Sequence, residues 1–295
     1  MRYIIILFIS ILLPSSLLAG GGWPQPKGKG FFKLNQSFLR AQSFYSLDGS
    51  LVDITTTTVY ISSIYGEYGF TDRFTGILYA PLFVRSTIND RKSTINDVVE
   101  PGDAFDGIGD FQLGLKYGIL TEGPVALSAS LILGLPFGDN VGGDTELLQT
   151  GDGEFNQLLK LEASHSFYPK PIYATLSVGY NNRGDATFAY SAGEEDVSFS
   201  DEFHWGGEIG WTPSDKWLIA LKWAQVASMN NGGNTGNTGA SSIFGNNASY
   251  FAISPEVNYQ FAGQWGVSAS LGTAVSGENI LAGPNIGFGI YWNLD

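Results

Sequence analysis

The stretch GIGDFQLGLKYGILTEGPVALSASLILGLPFGD (107–139) contains two segments of alternating polarity joined by a short polar turn. In the first segment, apolar residues from Phe111 to Ile119 alternate with small or polar residues such as Lys116. In the second, every other residue from Val125 to Leu135 is apolar, and the residues between them are mostly Ala, Ser or Gly. Successive side chains of a strand point to opposite faces of a sheet. The stretch therefore predicts two antiparallel strands that are each apolar on one face and polar or small on the other.

The same pattern recurs along the chain and predicts about twelve strands. They span residues 29–41, 55–70, 74–86, 108–120, 125–136, 154–168, 172–183, 200–212, 217–228, 248–262, 265–276 and 281–294. Short polar turns, such as TDR (71–73), alternate with long loops rich in Gly, Asp and Asn. An even number of strands with this asymmetry is typical of a transmembrane β-barrel. We expect an all-β, antiparallel barrel with short periplasmic turns, long extracellular loops and both termini on the periplasmic side.

The composition also favours a barrel over a soluble domain. Aromatic residues make up 14% of the chain and charged residues only 15%, a combination that suits an outer wall in contact with lipid and aromatic girdles at the interfaces. The chain contains no cysteine, which excludes disulfides and thiol chemistry. Its net charge of −13 argues against nucleic acid as a partner.

The first twenty residues, MRYIIILFISILLPSSLLAG, have the features of a secretory signal peptide. Arg2 precedes an apolar run that ends near Leu13, and small residues follow at Ala19 and Gly20. The run is shorter than the ~20 residues that a spanning helix needs. We therefore expect residues 1–20 to be removed on export.

A short segment, GGWPQPKG (21–28), separates this signal peptide from the barrel of residues 29–295. It lacks strand alternation, and its two prolines disfavour a central strand. Trp23 and Pro24 make it a candidate plug that folds into the periplasmic mouth, because a tryptophan gains little in a free tail. The alternative is a flexible periplasmic tail.

Eight charged side chains lie near strand middles on the predicted polar faces. They are Lys33, Glu67, Lys116, Lys160, Glu162, Glu208, Lys222 and Glu256. A lysine facing lipid at the membrane midplane would cost about 2–4 kcal/mol, so we expect these side chains to face the lumen. Twelve strands enclose less space than the roughly 16–18 strands of open porins. The set predicts a constriction that filters solutes, a structural ion-pair network that fills a narrow barrel, or both at once.

The long loops are rich in Asp and Glu, notably at 87–107, 137–153 and 184–199. Carboxylates suit hard cations such as Ca²⁺, but EF-hand spacing is absent. We therefore predict no metal site, and favour a solvated acidic surface near lipopolysaccharide. His165 and His204 are the only histidines, and the sequence contains no GxSxG or HExxH motif. We expect neither catalytic residues nor a cofactor.

Several stretches resemble one bacterial family. They are WPQPKGKGFFKLNQSF (23–38), GIGDFQLGLKYGIL (107–120), GLPFGD (134–139) and TGDGEFNQLLKLEASHSFYPKPIYATLSVGY (150–180). These stretches are similar to the start of the mature sequence, to one strand and to later motifs of a family of outer-membrane proteins. That family is described as the MetA-pathway-of-phenol-degradation type or the transporter type. The resemblance implies an outer-membrane β-barrel that acts as a channel for small, often hydrophobic or aromatic solutes.

These observations predict a channel or transporter of the cell outer membrane for passive uptake of small solutes, including hydrophobic or aromatic ones. The alternative is a closed structural or adhesive barrel that acts through its acidic loops. An outer-membrane enzyme, such as a phospholipase, has the weakest support. The expected partners are outer-membrane lipid, lipopolysaccharide, the barrel-assembly machinery and the small-molecule solute. We expect a monomer.

Overall fold

Twelve antiparallel strands form one closed barrel in the computed structural model, which describes residues 20–92, 99–233 and 245–295. The barrel strands, numbered in chain order, are β1 (Gly30–Tyr45), β2 (Leu51–Gly69), β3 (Phe74–Ile88), β4 (Phe111–Leu120), β5 (Val125–Leu135), β6 (Asn156–Ser166), β7 (Ile172–Arg183), β8 (Glu202–Ser214), β9 (Trp217–Ser228), β10 (Ser249–Ala262), β11 (Trp265–Glu278) and β12 (Pro284–Leu294). The predicted fold class, strand number and antiparallel order are confirmed. The predicted signal peptide, apart from Gly20, lies outside the described residues.

The first and last strands close the barrel. β1 pairs with β12 from Gly30 and Leu294 to Leu39 and Asn285, and its other edge pairs with β2. Every barrel strand therefore has two neighbours, which leaves no barrel edge free to pair with another chain. Among the described residues, we find no helix of the length and apolarity needed to cross a membrane.

The outer wall is apolar, and aromatic side chains gather at the end that carries the short turns. Trp217 packs on Tyr259 with ring centroids 4.5 Å apart, and Trp265 stacks on Trp292 at 6.1 Å. Trp217 and Trp265 are also exposed on the outer surface. Tryptophan and tyrosine favour the boundary between lipid and water. This end of the barrel therefore has the surface of a membrane interface.

The first extracellular loop is shorter than the sequence suggests. β1 continues to Tyr45 and β2 begins at Leu51, so the predicted strand bounds of 41 and 55, which leave a long loop over 42–54, are wrong. The polar run that suggested a loop is instead paired strand, extending the hairpin beyond the apolar part of the wall. Hydrogen bonds from Ser46 and Ser50 hold Asp48 in the remaining turn and lower the pKa of Asp48 to about 2.

Two of the other long loops contain strands of their own. Residues Asp103–Gly107 pair with β3, while Asp185–Tyr190 and Gly193–Ser198 form a separate hairpin. Phe188 and Val197 are buried in a small apolar cluster at this hairpin. The acidic composition suggests irregular loops here, but these apolar residues supply enough of a core to order the segment.

Candidate functional site

All eight charged side chains singled out above line the lumen, where they form two clusters. The first cluster comprises Glu67, Lys116, Lys160 and Glu162, and the second comprises Lys33, Glu208, Lys222 and Glu256. Each cluster contains two lysines and two glutamates, so its fully ionised form has no net charge. Their role as a constriction stays a prediction.

Lys116 is at the centre of the first cluster. Its Nζ lies 3.5 Å from Glu67 Oε1 and 3.7 Å from Glu162 Oε2, and its side chain is only 2% exposed. Lys160 Nζ lies 2.8 Å from Glu162 Oε1. The pair between Lys116 and Glu162 reaches across β5, where Ser130 lies in register between the two lysines and leaves room for their side chains. The pair between Lys116 and Glu67 reaches across β3, whereas Lys160 and Glu162 lie on the same strand, β6. Because an unpaired buried charge is costly, each member of the cluster depends on the others.

The second cluster spans the seam where the barrel closes. Lys33 Nζ lies 3.4 Å from Glu256 Oε1, and Lys222 Nζ lies 2.8 Å from Glu256 Oε2 and 3.7 Å from Glu208 Oε2. Lys33 is on β1 and Glu256 is on β10, so this pair crosses over β12 and β11. Gly289 on β12 permits the crossing, since a Cβ there would lie 2.5 Å from Lys33 Cε.

The N-terminal segment, residues 20–29, enters the lumen from the end with the short turns. Near this mouth, the Lys27 N–H donates to Asp72 Oδ1 at 3.0 Å. Further along, Gln25 Nε2 donates to Glu67 Oε2 of the first cluster at 3.1 Å. The segment is therefore ordered against the inner wall.

Two hydrogen bonds fix the innermost part of the segment. Lys116 Nζ donates to the Gly21 carbonyl at 3.0 Å, and the Gly22 N–H donates to Ser164 Oγ at 2.7 Å. The lysine that holds the first cluster together thus also holds the N-terminal segment.

The two candidate plug residues, Trp23 and Pro24, both lie against the inner wall. Trp23 meets Tyr173 edge to face, with ring centroids 5.9 Å apart. Pro24 packs on β4 at Gly118, where a Cβ would lie 2.9 Å from Pro24 Cγ. Whether the segment blocks passage of solutes stays a prediction.

Two cavities lie in the lumen formed by the described residues. The larger, of about 590 Å³, is lined by the eight charged side chains and by aromatic ones; the smaller, of about 400 Å³, is lined by Trp23 and His204 among others. The aromatic side chains of the larger cavity are Phe31, Tyr65, Tyr79, Tyr173 and Tyr291. The lumen therefore offers both ionic and aromatic surfaces to a small solute.

A further ionic network, missed in the sequence, lies at the end of the barrel that carries the long loops. Arg183, the last residue of β7, donates to Asp152 at 2.7 Å, to Glu154 at 2.7 Å and to Glu202 at 2.9 Å. Its guanidinium also lies over the Phe199 ring, 4.4 Å from the centroid. The sequence signal that could have indicated this network is a single arginine at a strand end between two acidic loops. The network ties the loop after β5 to the barrel wall.

Asp201 is a second hub beside this network. Its Oδ2 accepts hydrogen bonds from Tyr180 at 2.7 Å and Asn231 at 2.8 Å, and its Oδ1 accepts one from the Arg183 N–H at 3.0 Å. The bonds from Asn231 and Tyr180 lower the pKa of Asp201. The carboxylate therefore anchors the start of the loop after β9.

Each of the two histidines is held by a hydrogen bond to a neighbouring group. His165 binds the Pro124 carbonyl near a short turn, and His204 Nε2 lies 2.8 Å from Glu202 Oε2. Within residues 20–92, 99–233 and 245–295, no three His, Asp or Glu side chains are arranged to hold a metal ion.

Comparison with solved structures identifies similar barrels. The COG4313 outer membrane channel from Pseudomonas putida F1 matches with a TM-score of 0.66 at 16% identity, over 93% of this chain and 98% of that one. The fold is that of an outer-membrane β-barrel. The NanC porin matches with a TM-score of 0.50 at 7% identity, over 88% of this chain and 98% of that one. No family model and no curated protein matches the sequence. The fold and the apolar outer wall place the chain in the outer membrane.

Proposed function

We propose that this barrel is a channel for passive uptake of small solutes. The observation that carries the proposal is the cavity of about 590 Å³ inside the closed wall, lined by charged and aromatic side chains. Side chains that filled the lumen would stabilise a purely structural barrel of this width. Here the cavity is left open, and its volume is comparable to that of small-molecule binding sites.

The charges differ in how far a solute could reach them. Lys222 is 41% exposed, Lys160 is 31% exposed and Glu208 is 25% exposed. The remaining five are at most 16% exposed. The three accessible groups are therefore the proposed filter, and the others hold them in place through ion pairs.

Small aromatic solutes are the proposed cargo class. The lumen presents five aromatic side chains beside the accessible ammonium groups, and both kinds of group attract an aromatic ring or its polar substituents. The resemblance to the phenol-degradation type of outer-membrane protein supports the same class. Solutes with one ring and one polar group, such as phenol or benzoate, fit both features.

The test uses purified protein in planar bilayers and in liposomes. We expect single-channel conductance, and faster liposome swelling with phenol than with a neutral sugar of similar size. A variant lacking residues 21–26 should conduct more, because the segment would no longer occupy the lumen. Absence of conductance and of uptake in both proteins would refute the channel.

That same outcome would support a closed structural or adhesive barrel. Two observations favour this second candidate: the N-terminal segment lies inside the lumen, and Arg183 ties a long loop to the barrel wall at the opposite end. Lipid, lipopolysaccharide and the barrel-assembly machinery are proposed partners in either case. Because one chain closes the barrel, we propose a monomer, which mass photometry in detergent would check.

A further inference from the structure

The innermost described residues of the chain face open space in the lumen. Gly20 and Gly21 line both cavities. The bonds from Lys116 to the Gly21 carbonyl and from the Gly22 N–H to Ser164 fix where this part of the chain lies. The backbone nitrogens of Gly20 and Gly21 are therefore inside the barrel.

The predicted signal peptide ends at these same residues. We propose that cleavage near Ala19 and Gly20 leaves the α-ammonium group of the mature chain inside the lumen, where it adds a ninth charge to the eight side chains and favours the passage of anions. The position of the amine does not depend on the proposed channel function. The effect on selectivity rests on that function.

The packing of the three glycines supports this position. A Cβ on Gly21 would lie 2.7 Å from Ser164 Oγ, and one on Gly22 would lie 2.6 Å from the Ala126 carbonyl oxygen. A Cβ on Gly20 would meet no atom within 4 Å. The chain is thus held tightly against the wall at Gly21 and Gly22, and it enters the cavity at Gly20. An ammonium group there keeps water around it and avoids the penalty of burial.

The surrounding charges make a single extra cation effective. The eight charged side chains that line the two cavities balance one another, so the amine would give this lining a net positive charge. Glu208 is the most exposed carboxylate of the cavity and lies 3.7 Å from its lysine partner, Lys222. Its other partner, Tyr173, packs on Trp23 of the N-terminal segment. Glu208 and Glu162 both line the two cavities together with Gly20, and they are the carboxylates that do so. A net charge in a narrow pore favours ions of the opposite sign.

The location is tested first, without reference to conductance. Intact-mass measurement and N-terminal sequencing identify the first residue of the mature chain. The amine is then labelled with 2-pyridinecarboxaldehyde, which reacts at N-termini and not at lysines. We expect labelling of the folded barrel to be more than about tenfold slower than labelling in urea, because the reagent must also close a ring onto the backbone nitrogen of the second residue, and the chain is held against the wall at Gly21 and Gly22. A mature chain that begins beyond Gly22, a retained leader, or equal labelling rates would overturn the location.

The selectivity is tested on protein whose amine has been removed. The unfolded chain is transaminated at its N-terminal glycine with pyridoxal phosphate, which replaces the ammonium by a neutral aldehyde, and is refolded beside a mock-treated control. Reversal potentials in a salt gradient are measured between about pH 6.5 and about pH 9, a range in which an ordinary α-amine loses its proton and lysine keeps it. The other titratable groups of the cavities are Tyr65, Tyr79, Tyr173, Tyr291, Tyr250 and His204, besides the eight charges. A His204→Gln background removes the histidine contribution.

The control should prefer anions at the lower pH and lose that preference near about pH 8. The transaminated protein should lack the pH-dependent change. Equal reversal potentials for the two proteins at every pH would overturn the selectivity claim. If neither protein conducts, the proposed channel function and the selectivity claim both fail, while the labelling experiment still decides where the amine lies.

Discussion

Lys116 connects the first charge cluster to the N-terminal segment, so its replacement should change both permeability and stability. Lys116→Met keeps a long apolar stem and removes the ammonium. The variant loses the 3.0 Å bond to the Gly21 carbonyl. A hydrogen bond from a charged donor contributes about 1.5–3 kcal/mol. The undocked population of the segment should therefore rise by about tenfold to about a hundredfold, and the mean conductance should rise with it.

The same change leaves Glu67 and Glu162 without their shared cation. Their side chains are 1% and 8% exposed, so the charges stay buried. Removing one partner of a buried ion pair costs about 3–5 kcal/mol. Glu67 keeps its bond from Tyr65 and Glu162 keeps its ion pair with Lys160, which favours the lower end of that range. Urea unfolding in lipid vesicles, followed by tryptophan fluorescence, measures this loss.

Lys160→Met is the matched control. Lys160 is also bound to Glu162, but it is 31% exposed and has no hydrogen bond to the N-terminal segment among the described contacts. We expect the free energy of unfolding to fall by about 1 kcal/mol or less, as for partly exposed ion pairs, and the frequency with which the N-terminal segment undocks to stay the same. If Lys116→Met conducts like the unmodified protein while the control behaves as expected, the segment does not gate the lumen. If the two variants lose equal stability, the central role assigned to Lys116 is wrong.

Three further predictions concern the loops and the seam. Arg183→Met should lower the free energy of unfolding by about 3–5 kcal/mol, because three carboxylates lose their partner. Limited proteolysis should then cut the loop after β5, and an uncut loop would contradict this prediction. The pKa of Asp201 is lowered in the folded protein, so its contribution to folding stability is present above its unfolded pKa of about 3.9 and is lost as the pH falls through the folded value. Hydrogen exchange should therefore show that the loop after β9 loses protection only in acid. Gly289→Ala should displace Lys33 and lower the free energy of unfolding by about 1–3 kcal/mol. In the control Gly272→Ala the new Cβ would lie 3.3 Å from its nearest neighbour, so the loss should be less than half as large. Equal urea midpoints for the two variants would refute the path of Lys33 over Gly289.

The barrel itself could be predicted because its two faces have different solvents. Lipid outside and a polar lumen inside force a strict alternation, and that alternation gave the right strand number and order from segments such as Phe111–Leu120 and Val125–Leu135. Parity also predicted which face carries Lys116 and Glu162, because a charge toward lipid is costly. The loops beyond the membrane have no such constraint, and the hairpin of residues 185–198 did not show in the pattern.

The grouping of the eight charges into two clusters could not be predicted. The grouping depends on where the lumen-facing residue is small enough for a long charged side chain to pass over it, as at Ser130 and Gly289. It also depends on the stagger between strands. The contacts of Arg183 depend on the path of two loops, for which the sequence offers no periodic signal. Trp23 and Pro24 suggested an ordered segment, but its bond to Lys116 required the third dimension.

The long reach of the ion pair between Lys33 and Glu256 also has a consequence for assembly. The two residues are separated by 223 positions and lie on opposite sides of the closing seam. Contacts between such distant parts of a chain form late, after the entropy of closing a long loop has been overcome. Until the last strand has joined the first, each of these charges faces an unfinished lumen without its counterion. The pair therefore stabilises the closed barrel and contributes nothing to an intermediate in which the first and last strands are still apart.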